Sequence, residues 1–336
     1  MKLISFFLVI NIFICLNAST NSSNSNSSSD VLRLLIIGDS VDRYAIEDWC
    51  AKSNNNSYLF TERSSLATLA SSNTVQDLLK PFGQRRKAWE IRVCERQILS
   101  TGRVIYVAFL FNKLGVKPRP FWHTPLATMG GLARYDFHNT SESFRVGIAP
   151  AVVPIVKAMG GQPHGVLLNS VFWDLSHLYK EMEATYIREN SNSTTTENAK
   201  DTDTSKFVPK RSNIDDEEWL GEWFKNASLL MEVVKETFPH SSWFGWRRAN
   251  TFHPVVKGHW NTFGALRQLL QMEKRVPELC EKGGYELISF SVKSSQVSLR
   301  DVMHPTSQYL IELLDLALKK TNSSRLRRMP TVSTVS

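Results

Sequence analysis

Leu34-Leu35-Ile36-Ile37-Gly38-Asp39-Ser40 is the stretch on which the fold turns. Four large apolar residues in a row lack the alternation of a half-solvated strand. They predict a strand buried on both faces, as in a parallel sheet covered by helices. Gly38 ends the run and permits a tight turn with close backbone approach. Ser40 then falls at the start of a helix, where backbone N–H groups can stabilise a developing oxyanion. The plainer reading is that Asp39 or Ser40 only caps that helix.

Near the other end stands Asp301-Val302-Met303-His304-Pro305. A carboxylate three residues before an imidazole supplies what a serine nucleophile needs: a base, and a group to orient that base. Pro305 is expected at the first position of a last helix, Pro305 to Leu318.

Between these ends, strand-like and helix-like stretches alternate. Val31–Ile37, Arg103–Phe111, Gly165–Phe172, Ser242–Trp246 and Tyr285–Val292 read as strands. Arg43–Ala51, Val146–Met159, Ile214–Phe238 and His259–Val276 read as helices, the last ended or kinked by Pro277, with a short turn closing at Gly283-Gly284. The pattern predicts a three-layer α/β/α sandwich around a mostly parallel five-stranded sheet of the flavodoxin-like kind. Ligands of such sheets bind beyond the carboxyl ends of the strands, where Ser40 and His304 both fall.

The ends carry other information. Lys2 followed by the apolar Leu3–Leu16 and the small Ala18 reads as a signal peptide over 1–18, with an uncleaved anchor as the rival. Residues 19–30 form a Ser/Asn-rich tether, 31–320 the domain with a polar insertion at 188–212, and 321–336 a disordered basic tail. Sequons stand at Asn21, Asn26, Asn55, Asn139, Asn192, Asn226 and Asn322, so a glycosylated protein is expected, secreted or in the lumen of the endoplasmic reticulum or Golgi. Of four cysteines, Cys15 belongs to the signal segment. Cys50 with Cys94 is the pairing expected of the other three, leaving Cys280, and the alternative is three buried reduced thiols. No spacing of Cys and His suits a metal, and no cofactor is implied. The net charge of +8 does not signify nucleic acid in a secretory chain. Polyanionic glycans or a membrane surface fit better, the membrane directly only if the first segment stays uncleaved, and solvated charge without a partner is the default reading.

Ile37-Gly38-Asp39-Ser40, Leu168-Asn169-Ser170-Val171-Phe172-Trp173-Asp174-Leu175, Trp246-Arg247-Arg248-Ala249-Asn250-Thr251 and Asp301-Val302-Met303-His304-Pro305 stand in the order in which similar blocks occur in the SGNH/GDSL hydrolase superfamily. The chain resembles its PC-esterase-like branch over roughly 31–318. The resemblance implies Ser40 as nucleophile, His304 as base and Asp301 as its partner. The superfamily's third block usually reads Gly-x-Asn-Asp; here Trp173 replaces the Asn, and Asn169 is the substitute oxyanion donor. Gly130 or Gly131 would be the second-block glycine. Trp173 and Arg247 are candidates to hold substrate, although an Arg in such a place more often pairs with a local acid. The implied activity is hydrolysis of O-acyl esters, O-acetyl in the first place, of glycans or small molecules. The alternatives are a glycan O-acetyltransferase using the same triad, or a non-catalytic glycan-binding relative.

Overall fold

The computed structural model describes residues 31–51, 57–62, 80–81, 90–98, 100–111, 155–156, 158–171, 174, 216–249, 263–289 and 305–328. In chain order these hold β1 (Val31–Gly38), α1 (Ser40–Ala51), β2 (Ser57–Glu62), β3 (Lys80–Pro81), β4 (Glu90–Ile98), β5 (Arg103–Phe111) and β6 (Gly165–Leu168). They are followed by α2 (Asp216–Thr237), β7 (Trp243–Arg247), α3 (Phe263–Gly283), β8 (Glu286–Ile288) and α4 (Ser307–Arg328).

All eight strands join one sheet in the order β3-β2-β4-β5-β1-β6-β7-β8. The stretch β5-β1-β6-β7-β8 is parallel throughout and corresponds to the five strands expected from the sequence. The order of those five is that of a doubly wound, flavodoxin-like sheet. The expected count falls short by three antiparallel strands, β2, β3 and β4, added beside β5. β4 mixes charged and apolar residues, Glu90-Ile91-Arg92-Val93, and so lacks the unbroken apolar run that marks the parallel strands.

β1 is central because its side chains are apolar on both faces. Leu35 and Ile37 pack with Trp223, Met231 and Val234 of α2 and Met272 and Val276 of α3. Leu34 and Ile36 pack with Ile46 and Trp49 of α1 and Leu314 and Ala317 of α4. This is the three-layer sandwich, with two of the described helices on each face. α1 and α4 are further joined by Trp49, whose Nε1–H donates to Asp315 Oδ1 at 3.2 Å.

Several boundaries differ from expectation. α3 runs through Pro277 without ending. The proline ring is exposed, and the missing N–H and ring clash cost about 3 kcal/mol. Val276, Leu279 and Cys280 are buried around it, and each such side chain returns roughly 1.5–3 kcal/mol. The helix closes where Gly284 takes a positive φ of 63°. Tyr285 N–H donates to Cys280 O (2.8 Å) and Gly284 N–H to Glu281 O (3.2 Å), a Schellman closure. β6 stops at Leu168 instead of reaching Phe172, and β8 covers only three residues of the expected Tyr285–Val292.

The last helix begins at Ser307, so Pro305 precedes it instead of opening it. It also continues to Arg328, which corrects the expectation of a disordered tail from 321. Thr321, Ser324 and Arg325 are buried. Arg325 donates to Val31 O (2.6 Å), Arg328 to Ser241 O (3.2 Å), and Arg103 to Asn322 Oδ1 (2.5 Å). Of Val146–Met159, residues 155–156 and 158 are helical. The segment 1–30, the insertion 188–212 and the residues from 329 onward lie outside the described residues.

Cys50 and Cys94 are disulfide-bonded, joining the last turn of α1 to β4, while Cys280 is free and buried. The bridge closes a sequence separation of 44 residues, which corresponds to about 4 kcal/mol on the chain-entropy estimate. Burial pushes the Cys280 thiol up to about 12. Under non-reducing digestion the Cys50–Cys94 peptide pair is therefore expected, with Cys280 alkylated only after unfolding. Cys50→Ser/Cys94→Ser should lower unfolding free energy by about 2–4 kcal/mol in urea melts; alkylation of Cys94 in the native protein would contradict the assignment. Asn226 is 6% exposed within α2, so glycopeptide mapping of protein from a glycosylating host should find its sequon unoccupied.

Candidate active site at the carboxyl end of the central strand

β1 lies between β5 and β6, where the chain reverses the direction in which it adds strands. A crevice opens at such a switch point beyond the strand ends. Asp39 and Ser40 leave β1 at this place, and Asn169 leaves β6 beside them, since Ile37 pairs with Leu168 and Asn169 N–H donates to Ile37 O (2.9 Å). Arg247 ends β7, one strand further on.

Asp39 is the N-cap of α1. Its Oδ1 accepts from Val41 N–H at 2.8 Å, and its own N–H donates to Asp42 Oδ2 at 3.1 Å. The two carboxylates thus form a reciprocal capping box, with Asp42 at the position where Glu or Gln is usual. Ser40 is the first helical residue and partly exposed. Gly38 is required for a reason beyond the turn. A Cβ there would lie 2.0 Å from Asp42 Oδ2 and 2.6 Å from its Cγ.

Both carboxylates are then shared with one guanidinium. Arg247 Nε donates to Asp42 Oδ1 (2.5 Å), and Nη2 donates to Asp39 Oδ2 (2.9 Å) and Asp42 Oδ2 (3.0 Å). Nη1 donates to Arg248 O at 3.3 Å. Arg247 is 0% exposed, Asp39 2% and Asp42 1%. The fork geometry of Arg suits two carboxylates in one plane, which Lys cannot match. Burial alone would lower the Arg247 pKa, but the charges of Asp39 and Asp42 reverse that and hold it firmly protonated. One guanidinium cannot neutralise two carboxylates. Desolvation, reinforced by Asp39 and opposed by Arg247, pushes Asp42 up to about 6.

Arg247 was a candidate to hold substrate. Its place inside this ion cluster corrects that: every guanidinium nitrogen faces a protein oxygen and none reaches solvent. Asn169, a candidate oxyanion donor, is 1% exposed and donates from Nδ2 to Arg247 O at 2.7 Å. It clasps β6 to β7. Asp301, His304, Gly130 and Trp173 lie outside the described residues.

The neighbouring motif residues have structural partners. Asp174 Oδ2 accepts from Ser170 Oγ (3.0 Å) and Trp223 Nε1 (3.2 Å), fixing the turn after β6 to α2. Glu273 of α3 accepts from Arg248 Nε (2.6 Å) and from Ala249 N–H (2.9 Å). The Trp246-Arg247-Arg248-Ala249 stretch is therefore a seam between sheet end and helix. The 39/42 spacing is itself a capping-box signal that could have shown Asp42's role. Glu273 carries no comparable signal, because Arg248 and Ala249 are 25 and 24 residues away; Asp174 has one near partner, Ser170, and one distant one, Trp223.

The start of α4 is close by. Leu310 packs with Val41 and Ala45 in one small buried cluster, so the first turns of α4 and α1 touch. Ser40 precedes Val41 directly.

No known protein-family profile matches this chain, and no curated protein matches it. Among solved structures it is similar to a GDSL-like lipase from Bacteroides thetaiotaomicron, at 8% identity and TM-score 0.37, covering 90% of this chain and 95% of that one. It is also similar to an acetylxylan esterase from Geobacillus stearothermophilus, at 12% identity and TM-score 0.35, covering 88% and 94%.

The ion cluster makes opposite pH effects separable. Asp42's folded pKa lies above its ordinary 3.8, so between about 3.8 and 6 the folded state holds a proton the unfolded chain has lost. Its contribution to stability falls as pH rises through that window. At the far end of the sheet, burial, then Arg325, Arg33 and Arg103, lower His164 to about 4. Its contribution rises with pH between about 4 and 6.5. Asp42→Asn should leave a melting temperature that climbs across this range more steeply than the parent's, and His164→Asn one that climbs less. Equal slopes in all three proteins would refute the assignment. Arg247→Met, which strands two buried carboxylates, should cost roughly 3–5 kcal/mol in denaturant melts.

Proposed function

We propose that this chain is a serine esterase in which Ser40 attacks the carbonyl of an O-acyl ester, with His304 as general base and Asp301 orienting it. The observation that carries the reading is the construction around Ser40. A glycine that admits no side chain, two capping carboxylates and a buried arginine hold one serine at the first helical position, at the switch point of a parallel sheet. Such rigidity at a strand-to-helix turn has no evident purpose for a serine that only caps, because Asp39 already does that.

The contact between Leu310 and Val41 supports the partners. His304 stands three residues before Ser307, and three residues span at most about 10 Å. In the reaction, Ser40 Oγ bonds to the acyl carbon while its proton passes to the imidazole. The alcohol leaves with that proton; water, deprotonated by the same imidazole, then attacks the acyl carbon, and the imidazolium returns the proton to Ser40 Oγ as the acid leaves. The Ser40 backbone N–H is assigned as one oxyanion donor, the Val41 N–H being held by Asp39. Asn169 keeps the crevice walls together through its bond to Arg247 O. The substrate class that fits the motif resemblance is an O-acetylated glycan. The Cys50–Cys94 bridge supports an oxidising compartment, secreted or lumenal.

The test is turnover of p-nitrophenyl acetate and labelling by a fluorophosphonate probe, with Ser40→Ala and His304→Ala alongside the parent. Loss of labelling in Ser40→Ala, with kcat down by about 10⁴-fold or more in both variants and unchanged melting, is the expected result. Turnover that survives Ser40→Ala would remove Ser40 from the chemistry. A folded parent with neither turnover nor labelling would sink the esterase.

A further inference from the structure

The amino end of the parallel sheet, opposite Ser40, carries a second feature. Four arginines converge there from three elements, and their hydrogen-bond partners are neutral oxygens. Arg33 of β1 donates to Met159 O (2.8 Å) and Gly160 O (2.7 Å). Arg103 of β5 donates to Asn322 Oδ1. Arg328 and Arg327, exposed at the end of α4, donate to Ser241 O and to Ser324 Oγ (3.1 Å).

A carbonyl satisfies a guanidinium's hydrogens without cancelling its charge, so the positive potential at this end persists. Among the described residues, Glu286 is held by Lys320 and Trp243 Nε1 and is also acted on by Arg327, and Glu95 is hydrogen-bonded to Tyr106. Burial is the main cause of the low His164 pKa, and Arg325, Arg33 and Arg103 add to it.

We infer that this face binds a polyanionic polysaccharide, one bearing sulfate or uronic carboxylate groups. Arginine's planar fork suits both anions. The Cys50–Cys94 disulfide belongs to an oxidising compartment, which argues against nucleic acid as the partner. A bilayer asks for exposed apolar side chains beside the cations; among the described residues this face offers Leu326 alone. β1 has eight residues, so the face lies roughly 25 Å from Ser40. A matrix polymer held there leaves the crevice open.

The test applies the full chain, as secreted by the expressing cells, to immobilised heparin at about 0.15 M salt, with neutral dextran as control. Arg327→Glu/Arg328→Glu should weaken heparin binding by about tenfold or more, with melting temperature and p-nitrophenyl acetate turnover unchanged. Lys225→Glu/Lys274→Glu makes the same charge change on exposed positions of α2 and α3 and should matter little. If the reversed pair fails to fold, Arg327→Gln/Arg328→Gln replaces it in the same comparison. Equal losses from the two pairs would reduce the effect to net charge and overturn the proposal. So would binding to phosphatidylserine vesicles, but not to heparin, through these arginines. Neither outcome bears on Ser40, whose assay is separate.

Discussion

One guanidinium, that of Arg247, links three pieces of the fold that share little else. It reaches the cap of α1 and the third residue of its first turn from the end of β7, crossing the end of β6. Its carbonyl meanwhile receives Asn169. The strand ends that border the crevice are thus set by buried charge and hydrogen bonds, where apolar packing alone would allow slippage. Desolvating three charges is expensive, and a hydrophobic replacement of the same volume can equal such a cluster in stability. What apolar side chains cannot do is hold a helix terminus at a fixed angle while filling its orphan N–H groups. The turn carrying Ser40 inherits that fixity. Gly38 follows from the same constraint, because the Asp42 carboxylate occupies the space its side chain would take.

The parallel sheet was legible because burial on both faces leaves a mark in sequence that solvation erases. Val31–Ile37 and Arg103–Phe111 were read almost residue for residue. β2 to β4 were not, since strands with polar and apolar residues intermixed resemble loops when read singly. Pro277 as a helix end misled in the other direction, a local breaking signal lost to three buried side chains, while the closure expected at Gly283-Gly284 is where α3 ends. The end of α4 was misread for a related reason. Thr321-Asn322-Ser323-Ser324 is a poor helix former by itself, and its helicity is imposed by neighbours that reach it from Arg103, Gly165 and Val31.

At the site, the turn at Ser40 was visible as a motif, and the capping spacing of Asp39 and Asp42 was there to be read. Arg247 was noticed as a substrate candidate or, more often, the partner of a local acid; its acids stand 205 and 208 residues away. Sequence shows that an arginine stands at a strand end. It does not show which acids the topology folds beneath it. The second motif divides in the same manner, with Asp174 engaged by Ser170 four residues earlier and by Trp223 from a different layer.

The bond from Arg325 to Val31 spans 294 residues, and it has a bearing on how the chain matures. β1 precedes every other strand of the sheet in synthesis, yet it is central in space. Both its sheet neighbours, β5 and β6, and the helix α4 that covers one of its faces are made afterward. A strand of four large aliphatic residues must therefore wait, incompletely covered, until the last helix emerges to close the layer over it. High contact order of this kind slows folding and exposes sticky intermediates. The long stretch of chain between β5 and α4 is made while β1 still lacks that cover, so the layer over β1 closes only at the end of synthesis.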